Sequence, residues 1–445
     1  MRRSGILMHI SSLPNDYGIG KLGKEAYAFV DFLEKAHQKC WQILPISPTS
    51  YGDSPYQSFS VHAGNPYFID LEALEKEGYL KPAEYKDIEW GDDKGSVDYG
   101  KIYEVIFKVL RTAHKRFRKK PEKAYSKFVV ENKDWIYDYA LFMSLKFANK
   151  GKAWYEWDEP LKMYKPKAIK SARKEYANDI DFWCFVQYKY FQQWKKLKAY
   201  ANEKGIEIIG DIPIYVAYDS VEVWSTPQYF SLDKEKKPVE VAGCPPDAFT
   251  ADGQLWGNPI YDWDAMEKDN YSWWVSRIGH SLKLYDTVRI DHFRAFASYW
   301  AVPAESKTAK IGEWLDGPKM KLFNKIFDAF PNAPIIAEDL GVFGEDVVKL
   351  LADTGFPGMK VVQFGFDPNS DSSHMPHNAV PNSINYVGTH DNNTILGWLW
   401  EACEEERKFA LEYCGFYGDN WGEGGYYSAS CRKIIETVWK SSSNV

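Results

Sequence analysis

Thr287-Val-Arg-Ile-Asp-His-Phe-Arg294 begins as a short apolar run and ends in a knot of charge. Thr287–Ile290 is too short for an ordinary helix and carries β-branched Val288 and Ile290, so it reads as a buried strand. Asp291 follows at once, with His292 and Arg294 just beyond. The arrangement recurs along the chain. Ile206-Glu-Ile-Ile-Gly is followed by Asp211, Pro334-Ile-Ile-Ala by Glu338-Asp339, and Asn385-Tyr-Val-Gly-Thr by His390-Asp391. The full set of apolar runs is Gly5–Ile10, Cys40–Ile46, Ile206–Ile214, Thr287–Ile290, Ala333–Ala337, Met359–Phe366 and Ile384–Gly388. Helical stripes lie between several of them, as in Glu25–Ala36, Glu345–Leu351 and Leu396–Leu411. Strands that alternate with helices imply a parallel sheet. Runs that are apolar throughout, rather than alternating, suit strands buried on both faces. The expected fold class is α/β, a (β/α)8 barrel of the TIM type, whose strand C-termini converge on one face that holds the active site.

The spacing between strands is uneven. Residues 52–205 are rich in Lys, Trp and Tyr with helical periodicity, as in Tyr103–Phe117 and Phe182–Tyr200, and read as a largely helical insertion after the second strand. Residues 216–285 read as a second, loop-rich insertion with abundant Pro and Gly. The whole of 1–445 is expected to be one catalytic unit, since α/β barrels exceed the usual domain length.

Composition removes several function classes. The 445 residues carry 55 basic and 62 acidic side chains, a net charge of −7, so no phosphate backbone is expected as a partner. No apolar run is long enough to span a bilayer, and no membrane association is expected. Gly5–Ile10 is too short for a secretory core and lacks a small-residue cleavage site. The cysteines at 40, 184, 244, 403, 414 and 431 form no C-x-x-C pair, which suggests reduced, mostly buried thiols in a cytoplasmic protein and no zinc site. Gly18-Ile-Gly20-Lys-Leu-Gly23 has dinucleotide-loop spacing, but no acid closes the next strand, which ends Pro45-Ile-Ser-Pro48. Walker A and G-x-S-x-G sequences are absent. Aromatics are 16% of the chain, with 18 Trp, 30 Tyr and 25 Phe, and such rings stack on flat apolar faces such as those of sugars as well as packing cores.

Each strand-end acid, taken singly, could be a helix N-cap. Arg289 could be a salt-bridge partner only, and His292 and His390 could be core histidines. Four coincident acids are harder to explain as caps. Several carboxylates without a thiol or serine nucleophile suit glycosidic bond cleavage, where one carboxyl donates a proton and another attacks or stabilises the sugar carbon. Burial and mutual repulsion would separate their pKa values. A Mg²⁺ site is the competing use of such acids, with the aromatic content favouring sugar.

The residues also carry a family resemblance, spread over most of the chain. It runs through His9-Ile-Ser-Ser-Leu-Pro14 with Gly18-Ile-Gly20, Tyr51-Gly-Asp-Ser-Pro-Tyr56, Ala63-Gly-Asn-Pro66 and Gly210-Asp211-Ile-Pro-Ile-Tyr215. It continues in Pro245-Pro-Asp-Ala-Phe249, Gly253-Gln-Leu-Trp256-Gly-Asn-Pro259, Val288-Arg-Ile-Asp291-His-Phe-Arg294, Ala337-Glu338-Asp-Leu-Gly341 and Gly388-Thr-His390-Asp391. The chain resembles the amylomaltases, or 4-α-glucanotransferases, of glycoside hydrolase family 77 in the α-amylase clan.

The resemblance implies a retaining transferase that moves α-1,4-glucan segments between malto-oligosaccharides, with glucose or maltose as acceptor, no cofactor and no metal. It implies Asp291 as nucleophile, Glu338 as acid and base, and Asp391 as transition-state stabiliser. Arg289 would keep Asp291 ionised. Asp211 and His390 would bond the sugar, with His292 beside them. Tyr51, Tyr56, Phe249 and Trp256 would contact glucan, the last two on a lid over 244–258. An α-glucan hydrolase and a catalytically silent glucan-binding protein stand as alternatives. The family pattern also carries an eighth strand and a last helix whose sequence does not occur here, so this sequence is expected to stop short of them.

Overall fold

The computed structural model describes residues 2–50, 52–93, 95–246, 250–341 and 344–445. Its strands are β1 (Gly5–Leu7), β2 (Cys40–Gln42), β3 (Glu207–Pro213), β4 (Glu240–Cys244), β5 (Gln254–Pro259), β6 (Thr287–Asp291), β7 (Ser298–Pro303), β8 (Glu313–Asp316), β9 (Ile335–Ala337), β10 (Gly358–Val361) and β11 (Ser383–Tyr386). Each of the seven apolar runs contains or overlaps one parallel strand. β1, β2, β3, β6 and β9 form one parallel sheet in that order, and β10 pairs with β11 in parallel. The Ala337 amide donates to Pro357 O at 3.0 Å, which sets β10 beside β9. At the far edge, the Tyr386 hydroxyl on β11 donates to Gln42 Oε1 on β2 at 2.7 Å. Between β1 and β11 run the last residues: Arg3 donates its amide to Asn444 O, and Asn385 donates to Val445 O. Among the described residues the parallel strands therefore make two sheets, and β1 and β11 do not pair with each other.

Register follows from what the strands bury. Ile208, Ile212, Val288, Ile290, Ile335 and Ala337 are all within the sheet core. Gly210 is required where β3 passes Tyr285: a Cβ there would lie 2.1 Å from the ring. The expected helices are present with shifted ends, at Lys24–Lys35 and Glu345–Thr354. The stripe over Leu396–Leu411 is two helices, Ile395–Glu401 and Glu404–Tyr413. Ala402 is extended between them, and Glu404, Glu405 and Glu406 open the second helix where its dipole favours negative charge.

Between β2 and β3 the long helices are Tyr99–Phe117, Ile136–Ala148 and Ala177–Glu203. They pack through aromatic pairs such as Phe117–Phe185 and Phe107–Trp183. Residues 216–285 contain β4 and β5 as well as the helix Ser272–Leu284. With β7 and β8 these two strands form an antiparallel sheet in the order β5-β4-β7-β8, which the apolar runs did not mark. Its strands are short, and Gly243, Trp300 and Glu313 break any clean alternation. This sheet matters because it carries two tryptophans into the cleft described below.

The thiols are less buried than expected. Cys40, Cys184 and Cys414 are buried, Cys244 and Cys431 are partly exposed, and Cys403 is exposed; among the described residues none forms a disulfide. Among the described residues no helix is long and apolar enough to cross a membrane.

Candidate functional site

The C-terminal ends of the parallel strands open into a cleft of about 730 Å³ lined by Tyr56, Trp256, Arg289, Asp291, His292, Glu338, His390 and Asp391, among others. Most of the expected residues are thus brought together from far-separated parts of the chain. Asp291 is the last residue of β6, and Glu338 immediately follows β9. The amide of Glu338 donates to Ile290 O at 3.0 Å, and Phe293 donates to Glu338 O at 3.1 Å, so the two strand ends are locked side by side.

Arg289 organises the acids. It is buried in β6, two residues before Asp291 and on the same face of the strand. Its Nη1 donates to both oxygens of Asp211, at 2.8 and 2.7 Å, and to Asp291 Oδ1 at 3.0 Å. Tyr56 donates its hydroxyl to Asp211 Oδ2 at 2.7 Å. Asp211 lies inside β3, and its side chain is fully buried. It does not face the open cleft; it anchors Arg289 and Tyr56 from beneath. Asp339 is likewise structural, since its carboxylate accepts the Met359 amide at 2.6 Å beside Gly358. Two of the strand-end acids therefore support the site without facing it.

Glu338 is held by backbone. Its Oε2 accepts the His292 amide at 2.6 Å and its Oε1 accepts the Leu340 amide at 2.9 Å. His292 adopts a left-handed conformation, φ 55°, which turns that amide toward Glu338. The imidazole of His292 meets the edge of Trp256 at 4.7 Å, and burial drives its pKa down to about 3, so it is neutral.

Burial raises both carboxyls above their usual range, Asp291 to about 8 and Glu338 in the same direction. Arg289 opposes the rise at both, and the negative charge of Asp211 adds to it at Asp291. The charge of Glu338 also raises Asp291, so the two titrations are linked. Of the two, only Asp291 touches the guanidinium, which favours its ionised form against the burial that raises it.

Tyr56 and His390, also in the lining, stack at 5.2 Å with ring planes 10° apart. His390 Nε2 lies 3.2 Å from Asp391 Oδ1, and the Asp391 side chain is 70% exposed, free to meet a ligand. Burial lowers the His390 pKa. Tyr51 and Phe249 lie outside the described residues. Residues that the motifs did not single out also line the cleft: Trp314 from β8, Phe364 after β10, and Asn392.

The family profile described as 4-alpha-glucanotransferase matches residues 8–445. A 4-alpha-glucanotransferase of Clostridium butyricum is 50% identical over 98% of this chain and 88% of its own length. One from Thermus thermophilus is 45% identical over 95% of this chain and 85% of its length. The crystal structure of an amylomaltase from Streptococcus agalactiae in complex with acarbose superposes with a TM-score of 0.96 at 44% identity, covering all of this chain and 89% of that one. An amylomaltase structure from Corynebacterium glutamicum, at 18% identity and a TM-score of 0.72, shares the fold.

Proposed function

The chain belongs to the 4-alpha-glucanotransferase family, glycoside hydrolase family 77, and from that premise we propose how its carboxylates divide the work. The activity is transfer of α-1,4-glucan segments from a donor to an acceptor malto-oligosaccharide. Asp291 is the nucleophile: one oxygen accepts from Arg289, which leaves the other to attack the anomeric carbon. Glu338 gives its proton to the leaving glycosidic oxygen as the C–O bond breaks. The glycosyl–Asp291 ester is then attacked by an acceptor hydroxyl, whose proton passes to Glu338, and Asp291 leaves as carboxylate. Two inversions at one carbon give net retention.

Asp391, His390 and Tyr56 hold the donor sugar; Trp256 and His292 flank the reacting centre. Asp211 acts through Arg289, with Tyr51 and Phe249 as further glucan contacts. The segment 244–258 is assigned as the cover that keeps the ester away from water, since Cys244, Pro245, Pro246, Gln254 and Asn258 all line the cleft. The seven parallel strands are read as a (β/α)8-type barrel interrupted by a helical subdomain over 52–205 and a second insertion over 216–285. Six cysteines outside any disulfide fit a cytoplasmic setting.

The observation that carries this reading is the single guanidinium that joins Asp211 to Asp291 beside the backbone-clamped Glu338. It is tested by incubating the protein with maltotriose while following glucose, longer glucans and total reducing ends, beside Asp291→Asn. Glucose with a ladder of longer glucans at constant reducing ends, lost in the variant, is the expected result. Rising reducing ends would make the chain a hydrolase.

A further inference from the structure

Trp314 lies in the middle of β8, opposite Trp300 of β7. One face of its indole rests on the Arg294 guanidinium, 4.1 Å from Cζ to the ring centre. Its edge is met by Trp300 at 5.4 Å, and Trp300 is itself fixed by an indole N–H donated to Ala309 O at 2.9 Å. Arg294 is buried in the turn that follows Asp291. The ring is therefore clamped by a cation and an indole, yet the residue is 44% exposed and its open part lines the cleft. A flat, rigid, half-bare ring beside reacting carboxylates has the form of a sugar platform: the CH face of a glucose ring covers it, and little side-chain freedom is lost on binding.

Two contact groups line the cleft. Tyr56, His390 and Asp391 are joined to one another in the first. Trp256 meets His292 and Trp314 meets Arg294 in the second, and His292 supplies the amide that clamps Glu338. Glu338 protonates the leaving glucan and deprotonates the incoming one, so the group that clamps it is the one assigned to the acceptor. We propose that Trp314 is the stacking platform for the acceptor glucan and so sets the preference for a sugar hydroxyl over water. The proposal rests on the assignment of Glu338 as acid and base.

α-Glucosyl fluoride separates the steps, because its small leaving group makes no use of an acceptor-side platform. In the absence of acceptor, the first-turnover burst of fluoride, which reads only ester formation, should be the same size in Trp314→Ala as in the parent chain. With maltotriose as acceptor, the acceptor KM should rise about ten-fold, with a smaller rise in Trp314→Phe, which keeps a ring. A merely structural role would lower fluoride release in parallel with transfer, and an unchanged acceptor KM would equally overturn the proposal. Glu338→Gln tests the supporting assignment separately. Fluoride departs without a proton, so that variant should keep a first-turnover burst of fluoride while losing maltotriose as donor; loss of the burst would remove Glu338 from the acid role.

Discussion

The backbone amide of His292 sits 2.6 Å from Glu338 Oε2, and it does so because His292 holds a left-handed backbone. A non-glycine residue at φ 55° carries strain of order 1 kcal/mol, which the surrounding strand ends must hold in place. The site thus orients its proton donor with a strained peptide rather than with a side chain. Side-chain truncation cannot remove that hydrogen bond, but it can change the strain behind it.

His292→Gly and His292→Ala both lose the ring against Trp256, so their difference isolates the backbone. Glycine adopts the left-handed region freely, whereas alanine does not. His292→Gly should be more stable than His292→Ala by about 1 kcal/mol in urea unfolding. Equal midpoints, or a more stable alanine variant, would contradict the strain argument.

Asp291→Asn should abolish transfer and raise thermal stability. The folded pKa of Asp291 is raised to about 8, above its unfolded value, so the folded chain holds a proton that the unfolded chain releases. The stability of the parent chain relative to the variant is therefore fullest in acid and falls as pH rises from about 4 to about 8. The gain in Tm from Asp291→Asn should grow over that window, to about 2–4 °C at its upper end. Calorimetry at pH 5 and pH 8 checks it, and a gain that shrank toward pH 8 would reverse the sign.

Much of this site is legible in the amino-acid sequence. The parallel strands announced themselves because they are buried on both faces and so read as unbroken Ile and Val runs. Asp291 and Glu338 were visible because each closes such a run. Asp211 was visible for the same reason, but its placement inside β3 under Arg289 was not, since a strand's end cannot be read to within two residues. The sheet made by β4, β5, β7 and β8 left no comparable signal. It is antiparallel and half exposed, and its edges are set by pairing partners distant in sequence, such as Gly243 with Trp300. Trp314 was hidden with it, because nothing in Glu313-Trp-Leu-Asp316 says which face meets the cleft.

Arg289→Lys should keep a positive charge and still fail. All three contacts come from Nη1, and the lysine ammonium, on a shorter stem, does not reach that point from the same backbone position. Leaving carboxylates under-paired in a buried site costs several kcal/mol in the limit of full loss. The expected outcome is a drop in kcat of about a hundred-fold, close to 3 kcal/mol in barrier, with a smaller effect on KM for maltotriose. A KM effect alone would mean that Arg289 serves binding rather than the chemistry of Asp291.

Gly210→Ala tests whether β3 is placed by packing. The added methyl would stand 2.1 Å from the Tyr285 ring, which is buried between the helix Ser272–Leu284 and β6 and has little room to move. Over-packing of this kind costs roughly 1–3 kcal/mol, and here the strain would be relieved by pushing β3 outward. Asp211 is the next residue, so Arg289 would lose its anchor along with the stability. Activity and Tm should therefore fall together in Gly210→Ala. Tyr285→Leu alone should destabilise the chain by leaving a cavity, yet in the double variant it should return part of both losses, because the leucine frees the space that the methyl needs. Additive losses in the double variant would show that the two residues do not compete for that space and that β3 is held by its ladder alone.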